Sequence, residues 1–129
     1  MTQEIPKPTV LIIDDDNFLL DMYALKFSQN GFSVVAEMSA GSALERLRDG
    51  LSPEVILTDV LMPGMDGFTF LEHIQDEHLA DQAKIIVLSN KGEKQDIDQG
   101  VSLGADGYII KASMIPSEVV DKVRSILNK

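Results

Sequence analysis

The sequence predicts an α/β domain in which a five-stranded parallel sheet is covered by helices on both faces. Short aliphatic runs alternate along the chain with longer segments whose apolar residues recur at helical spacing. This alternation is typical of parallel strands that are joined by crossover helices. The length of 129 residues fits one domain, which we place at residues 9–128, behind an extended tail at residues 1–8 that contains two prolines.

The five predicted strands are short, mostly aliphatic, and bounded by polar residues, glycine or proline. They are predicted at residues 10–13, 32–36, 55–58, 84–88 and 108–110. Pro53 precedes the third strand, and Pro63, Gly64 and Gly67 interrupt regular structure after it.

Five helices are predicted from apolar residues at helical spacing. The first is predicted over residues 17–29, with Asp16 as its N-cap and Gly31 as its end. Pro116 fits the first turn of the last helix. The residues that indicate the helices are, in chain order, Phe18, Leu19, Met22 and Leu25; Ala43, Leu44 and Leu47; Phe68, Leu71 and Ile74; Ile97 and Val101; and Val119, Val123, Ile126 and Leu127.

Composition limits the classes of partner and compartment. The net charge of −10 argues against binding to nucleic acids or anionic membranes, and favours cations and basic protein surfaces. The sequence has no run of about 18 apolar residues and lacks the pattern of a signal peptide. The absence of cysteine suits a reducing compartment. We therefore expect a cytoplasmic protein.

Chemically active side chains follow the predicted strands at the ends where parallel strands share one edge. Ligands bind at that edge in sheets of this kind, where the strand order reverses. Singly, each residue has an ordinary interpretation, such as an Asp that satisfies loop amides, a surface Lys or a helix-capping Ser. Together they predict a functional site. The strand-end residues are Asp14, Asp15, Glu37, Asp59, Ser89 and Lys111.

This set of residues suits a hard cation and phosphoryl chemistry. Carboxylates at close range repel one another unless they share a proton or hold a cation, and oxygen ligands without His or Cys favour Mg²⁺. Asp59 can act as a nucleophile toward phosphorus and form an acyl phosphate. Lys111 and Ser89 can each take a phosphoryl oxygen.

Residues 9–128 resemble a response-regulator receiver domain of two-component signalling. The resemblance implies a flavodoxin-like, doubly wound sheet of strand order 2-1-3-4-5 with five helices. The matching motifs are Leu-Ile-Ile-Asp-Asp at 11–15, Asp59 followed by Met-Pro-Gly-Met-Asp-Gly at 62–67, Val-Leu-Ser at 87–89, and Gly-Ala-Asp-Gly-Tyr-Ile-Ile-Lys at 104–111.

The resemblance implies a phosphoacceptor and a magnesium site. Asp59 would accept a phosphoryl group from a histidine kinase or a phosphotransfer protein. Asp15 and Asp59 would bind Mg²⁺ directly, Asp14 would act largely through water, and the main-chain carbonyl of Leu61 would complete the protein ligands.

The resemblance also implies a conformational switch. Ser89 would follow the phosphoryl group, Tyr108 would turn inward, and Lys111 would pair first with Asp59 and then with the phosphoryl group. The output protein would bind the face formed by residues 92–127. We expect a monomer, or a weak dimer that depends on phosphorylation, and no enzymatic activity beyond the domain's own phosphorylation and dephosphorylation.

Three residues depart from the family pattern. Asp16 adds a third acid, which we interpret as a helix cap rather than an extra ligand. Ala112 follows Lys111 where the family usually has a proline with a cis bond. Because a cis bond to alanine costs about 2.5–4 kcal/mol, we predict a trans bond and a rearranged loop. Asn90, after Ser89, is larger than the residue commonly found there and is expected to narrow access to the site.

Two alternatives stay open. A haloacid-dehalogenase-like phosphatase also uses an aspartyl phosphate, and Asp14-Asp-Asp16 superficially allows its Asp-x-Asp motif. However, Phe18 occupies the position of the usual Thr or Val. A docking module that keeps the fold without being phosphorylated is the other alternative, and the complete set of acids, Ser89 and Lys111 argues against it.

Overall fold

Five strands and five α-helices alternate along the chain in a computed structural model that describes residues 6–128. Most of the predicted tail, residues 1–5, therefore lies outside the described residues. The elements are β1 (Thr9–Ile13), α1 (Asn17–Gln29), β2 (Ser33–Glu37), α2 (Ala40–Arg48), β3 (Val55–Thr58), α3 (Gly67–Asp76), β4 (Lys84–Ser89), α4 (Lys94–Ser102), β5 (Gly107–Ile110) and α5 (Pro116–Leu127), with a 3₁₀ turn at Lys111–Ser113.

The strands form one parallel sheet in the order β2-β1-β3-β4-β5. The predicted fold class and strand order are thus confirmed. Ile13 at the end of β1 lies opposite Thr58 at the end of β3. Because the strand order reverses between β1 and β3, the residues that follow these two strands border the crevice in which such folds bind ligands.

The sheet separates two hydrophobic cores. Alternate residues of a strand point to opposite faces, so Val10 and Ile12 belong to one core and Leu11 and Ile13 to the other. Helices α1 and α5 cover the first core, and α2 and α3 cover the second. All four of these β1 residues are buried, as a central parallel strand requires.

The bounds of α1 were predicted correctly, but its buried face only in part, because Leu19 and Met22 pack partly against the first core. Asp16 is the N-cap, because its side chain accepts a hydrogen bond from the Leu19 amide at 3.1 Å. Phe18 and Leu25, however, are 76% and 60% exposed. The helix instead buries Leu20, Tyr23 and Phe27. Apolar residues surround much of α1, so their spacing could not identify the face that meets the sheet.

Helix α4 forms where Asp96, Ile97 and Val101 predicted it, but its two apolar residues do not form a buried stripe. Val101 is exposed, and the residues that α4 buries are Asp96 and Gly100. The Asp96 carboxylate accepts from the Glu93 amide at 3.1 Å and pairs with the Lys91 ammonium at 3.3 Å. A capped polar turn, rather than an apolar stripe, therefore starts this helix.

The connection from β5 to α5 confirms the predicted trans bond and the predicted place of Pro116 in the first turn of the last helix. The Lys111–Ala112 peptide bond is trans, and the chain turns through the 3₁₀ segment before Pro116 opens α5. Between residues 6 and 128, no helix combines the length and the apolar character needed to cross a membrane.

Candidate functional site

Three carboxylates meet at the carboxyl edge of the sheet. Asp14, Asp15 and Asp59 each place one oxygen within 4.8 Å of the others. Asp14 and Asp59 directly follow the paired strand ends of β1 and β3, and the Asp59 amide donates to the Ile13 carbonyl at 3.0 Å. Strand register therefore brings together acids that lie more than forty positions apart in the sequence.

Lys111 bridges two of these carboxylates. Its Nζ lies 2.8 Å from Asp14 Oδ2 and 2.6 Å from Asp59 Oδ2, and its side chain is only 9% exposed. The residue follows β5 at the sheet edge, and its long side chain reaches back across β4. One ammonium group thus offsets the repulsion between two buried acids.

Backbone amides orient the same two carboxylates. Asp59 Oδ1 accepts from the Val60 amide at 2.7 Å, and Asp14 Oδ1 accepts from the Asp16 amide at 2.9 Å. Each carboxylate therefore has one oxygen fixed by the backbone and turns the other toward the Lys111 ammonium.

Burial and ion pairing shift the ionisation of this group. Burial raises the pKa of the Asp14 carboxyl above its usual value, although hydrogen bonds from Lys111 and the Asp16 amide partly oppose the rise. Burial by itself lowers the pKa of the Lys111 ammonium. The hydrogen bonds to Asp14 and Asp59 and their charges outweigh burial, so the pKa of Lys111 lies above its usual value. Lys111 is therefore a fixed cation at neutral pH.

The third acid, Asp15, is the exposed member of the cluster. Its carboxylate is therefore the one of the three that is open to solvent. The Asp16 side chain caps the start of α1, as predicted. Glu37, at the end of β2, pairs instead with Arg46 at 2.8 Å and lies outside the cluster.

Ser89 and Tyr108 meet at Lys91. Ser89 is buried, and its Oγ accepts from the Lys91 amide at 3.1 Å. The half-buried Tyr108 donates its hydroxyl to the Lys91 carbonyl. Burial, with smaller contributions from the charges of Asp96 and Asp59, raises the pKa of Tyr108 to about 12. The backbone of one residue in the loop after β4, Lys91, therefore links the predicted switch residues.

Gly67 supports the site in a way that sequence reasoning missed. Its amide donates to the Val60 carbonyl at 2.8 Å. A Cβ at this position would overlap the Asp59 carbonyl oxygen and lie 2.9 Å from Val60 Cα. The first residue of α3 thus packs directly against the backbone that carries Asp59. The sequence showed only a loop glycine, because a close approach of two backbones leaves no local pattern.

The loop between β3 and α3 borders the site. Leu61, whose carbonyl is a predicted ligand, exposes most of its side chain at the rim. Met62 is buried and Met65 packs partly against the core of α2 and α3. The loop is thus anchored by apolar contacts on both sides of Gly64.

Comparison with known protein families identifies this architecture. The model of the response regulator receiver domain matches residues 10–124. The chain belongs to this family. The predicted resemblance is confirmed, and residues 10–124 form a receiver domain of two-component signalling.

Relatives of this receiver domain include regulators of transcription. It is 29% identical over 120 residues to the phosphate regulon transcriptional regulatory protein PhoB of Escherichia coli, covering 93% of this chain and 52% of that protein. It is 32% identical over 123 residues to the DNA-binding regulator RpaA of Synechocystis, covering 95% of this chain and 50% of that protein. The chain therefore spans about half the length of these regulators.

Solved structures agree with the fold. A putative response regulator from Chloroflexus aurantiacus superposes with a TM-score of 0.85 at 31% identity, covering 96% of this receiver domain and 100% of that chain. The chemotaxis regulator CheY4 of Vibrio cholerae superposes with a TM-score of 0.85 at 22% identity, covering 94% and 99%. The second likeness concerns the fold alone.

Proposed function

We propose that Asp59 of this receiver domain accepts a phosphoryl group from the phosphohistidine of a sensor kinase or phosphotransfer protein. The observation that carries the proposal is the geometry of Asp59. Its buried carboxylate lies at the reversal of strand order, is oriented by the Val60 amide, and is paired with the Lys111 ammonium at 2.6 Å.

The acids around Asp59 fit Mg²⁺. Three carboxylates from Asp14, Asp15 and Asp59 lie within reach of one ion, and no His or Cys joins them among the residues described. Asp15 and Asp59 would hold the ion directly, Asp14 through water, and the Leu61 carbonyl would complete the set. Bound Mg²⁺ supplies positive charge that neutralises the transferring phosphoryl group.

The residues of the chain divide the transfer between them. A carboxylate oxygen of Asp59 attacks phosphorus and forms an O–P bond, while the P–N bond of the phosphohistidine breaks and its electron pair leaves with the imidazole ring. Lys111 releases Asp59 and hydrogen-bonds the incoming phosphoryl oxygens. Ser89, one strand away, offers its hydroxyl to another of these oxygens.

The same contacts support a switch. A phosphoryl dianion at Asp59 attracts Lys111 and the Ser89 hydroxyl, and movement of Ser89 acts on Lys91 and through it on Tyr108. The loop after β4 leads into α4 and the turn after β5 leads into α5, so these movements would reach the start of both helices. The face of residues 92–127 is therefore our proposed docking surface for the output protein.

Exposed apolar side chains at the rim support docking of a protein phosphodonor. Phe18 lies in the first turn of α1, three residues beyond Asp15, and Leu61 lies two residues beyond Asp59. Both expose most of their side-chain surface, and a protein partner that docks at this edge could cover them. The net charge of −10 favours a basic partner and disfavours nucleic acid. The proposal places residues 9–128 in the cytoplasm, as a monomer or a weak dimer after phosphorylation.

Phosphorylation with a small donor tests the proposal. With Mg²⁺ and acetyl phosphate we expect an adduct that is stable to acid and labile to base. It should disappear in Asp59→Asn and persist in Asp16→Asn, whose side chain caps α1. An adduct that survives in Asp59→Asn would refute the assignment. A chain that stays unmodified would be a docking module, and repeated turnover of phosphomonoesters would identify a phosphatase.

A further inference from the structure

Two of the residues that depart from the family pattern, Asn90 and Ala112, are in contact. Asn90 Oδ1 accepts a hydrogen bond from the Ala112 amide at 3.0 Å. Asn90 follows Ser89 at the end of β4, and Ala112 follows Lys111 in the 3₁₀ turn after β5. A proline at position 112 would have no amide hydrogen to donate. Alanine at 112 therefore creates a donor, and asparagine at 90 supplies its acceptor.

This bond is the outermost of three contacts between the same two segments. Tyr108 donates its hydroxyl to the Lys91 carbonyl. Gly92 approaches Ile110 so closely that a Cβ on the glycine would overlap the Ile110 side chain. The loop after β4 and the chain from β5 into the turn are thus held together on both sides of Lys111.

The turn that carries Lys111 depends on such contacts. Ala112 and Ser113, the two residues of the turn after Lys111, are exposed, so packing of an apolar core does not fix this part of the turn. The Ser113 hydroxyl donates to the Ile110 carbonyl at 2.8 Å, which closes the turn on itself. The bond to Asn90, by contrast, ties the backbone of the turn to a neighbouring strand end.

We propose that Asn90 is a positioning residue for Lys111. By holding the Ala112 amide, it sets the turn so that the Lys111 ammonium reaches Asp14 and Asp59, and it couples movement of the Ser89 loop to movement of Lys111. The inference rests on the proposed function, because it assigns Lys111 a role in phosphorylation of Asp59.

Three variants separate this role from general stability. Asn90→Leu keeps the approximate size but removes the acceptor, whereas Asn90→Asp keeps an acceptor oxygen. Ser113→Ala removes the hydrogen bond from the Ser113 hydroxyl to the Ile110 carbonyl and leaves the Asn90 bond in place. Asn90, Ala112 and Ser113 are all exposed, so each variant is expected to fold.

The first measurement needs no phosphorylation. Hydrogen exchange of the Ala112 amide, followed by NMR, should be about two- to tenfold faster in Asn90→Leu, close to wild type in Asn90→Asp, and little changed in Ser113→Ala. The side-chain resonances of Lys111 should shift in Asn90→Leu alone. Unchanged exchange or unchanged Lys111 resonances in that variant would overturn the proposal.

The second measurement is the rate of modification by acetyl phosphate with saturating Mg²⁺. Asn90→Leu should react about two- to tenfold more slowly than wild type, and Ser113→Ala should react at the wild-type rate. Equal rates for wild type and Asn90→Leu would overturn the proposal. Failure of the proposed function would give a different result, because wild type and Asp59→Asn would then be equally unmodified. The NMR measurements would still show whether Asn90 positions Lys111.

Discussion

At the scale of single residues, Lys111 governs the balance of charge in the site. Two carboxylates at about 4 Å repel by about 4 kcal/mol at an effective dielectric constant near 20. The ammonium lies within 2.8 Å of both Asp14 and Asp59 and offsets this repulsion. Mg²⁺ at the same carboxylates would do so too. The lysine and the ion are therefore partly interchangeable as sources of stability.

Lys111→Met should lower the free energy of unfolding by about 3–5 kcal/mol at pH 7 without divalent ions, because two buried carboxylates lose their cation. With saturating Mg²⁺ the loss should be smaller. Urea denaturation with and without Mg²⁺ measures both values. Lys94→Met is the matched control, since Lys94 is 92% exposed and its ion pair with Asp98 should contribute within about 0.5 kcal/mol. Equal losses with and without Mg²⁺ would contradict the interpretation.

Tyr108 should make stability depend on alkaline pH. Its pKa is raised to about 12 in the folded chain, above its usual value near 10. The stabilisation is therefore complete below pH 10 and is lost as the pH rises toward 12. The sequence contains two tyrosines, so tyrosinate absorbance in Tyr23→Phe reports Tyr108 alone and should appear near pH 12. Ionisation of that phenol near pH 10 would show that the hydroxyl is not shielded from solvent and held near the charges of Asp96 and Asp59.

Residue-level prediction from sequence succeeded where strand geometry decides the outcome. Asp14, Asp59 and Lys111 follow buried strands, and parallel pairing brings their backbones to one edge. The Lys91–Tyr108 and Asn90–Ala112 bonds lie in loops, where the path of the chain depends on contacts between segments. Neither bond could be derived from local spacing.

At the scale of elements, helix bounds were predicted better than helix orientation. The caps of α1, Asp16 and the turn at Gly31, are local signals. Which side of α1 meets the sheet is decided by packing against β1 and α5, and Phe18 and Leu25 prove to be outside. In α5, by contrast, Val119, Val123 and Ile126 form one stripe and are buried as predicted.

The start of α3 gives a test at this scale. Gly67→Ala should lower the free energy of unfolding by about 1–3 kcal/mol, because its methyl group would overlap the Asp59–Val60 backbone. It should also slow phosphorylation, since that backbone carries the acceptor. Gly41→Ala in α2 is the control, because a Cβ there meets nothing within 4 Å and should stabilise the helix by up to about 1 kcal/mol. Similar stabilities for the two variants would contradict the close approach.

At the scale of the whole molecule, the strands that carry the site contribute residues to both hydrophobic cores. The site residues follow β1, β3, β4 and β5, and these strands are shared by the cores on the two faces of the sheet. The strand order was carried over from the family resemblance and confirmed by the structure, since alternation alone predicts a parallel sheet but not its order. A ligand at this edge should therefore stabilise the molecule as a unit.

Ile12→Val and Ile56→Val test this unity, because the two buried residues lie in neighbouring strands but in opposite cores. Each should lower the free energy of unfolding by about 0.5–1.5 kcal/mol. Mg²⁺ at 100 times its Kd should raise the free energy of unfolding by about 2.7 kcal/mol in wild type and in both variants, because it binds the folded state of each. Urea transitions followed by circular dichroism and by tyrosine fluorescence should coincide in all three proteins. A second transition that does not respond to Mg²⁺ in either variant would show that the two cores unfold separately.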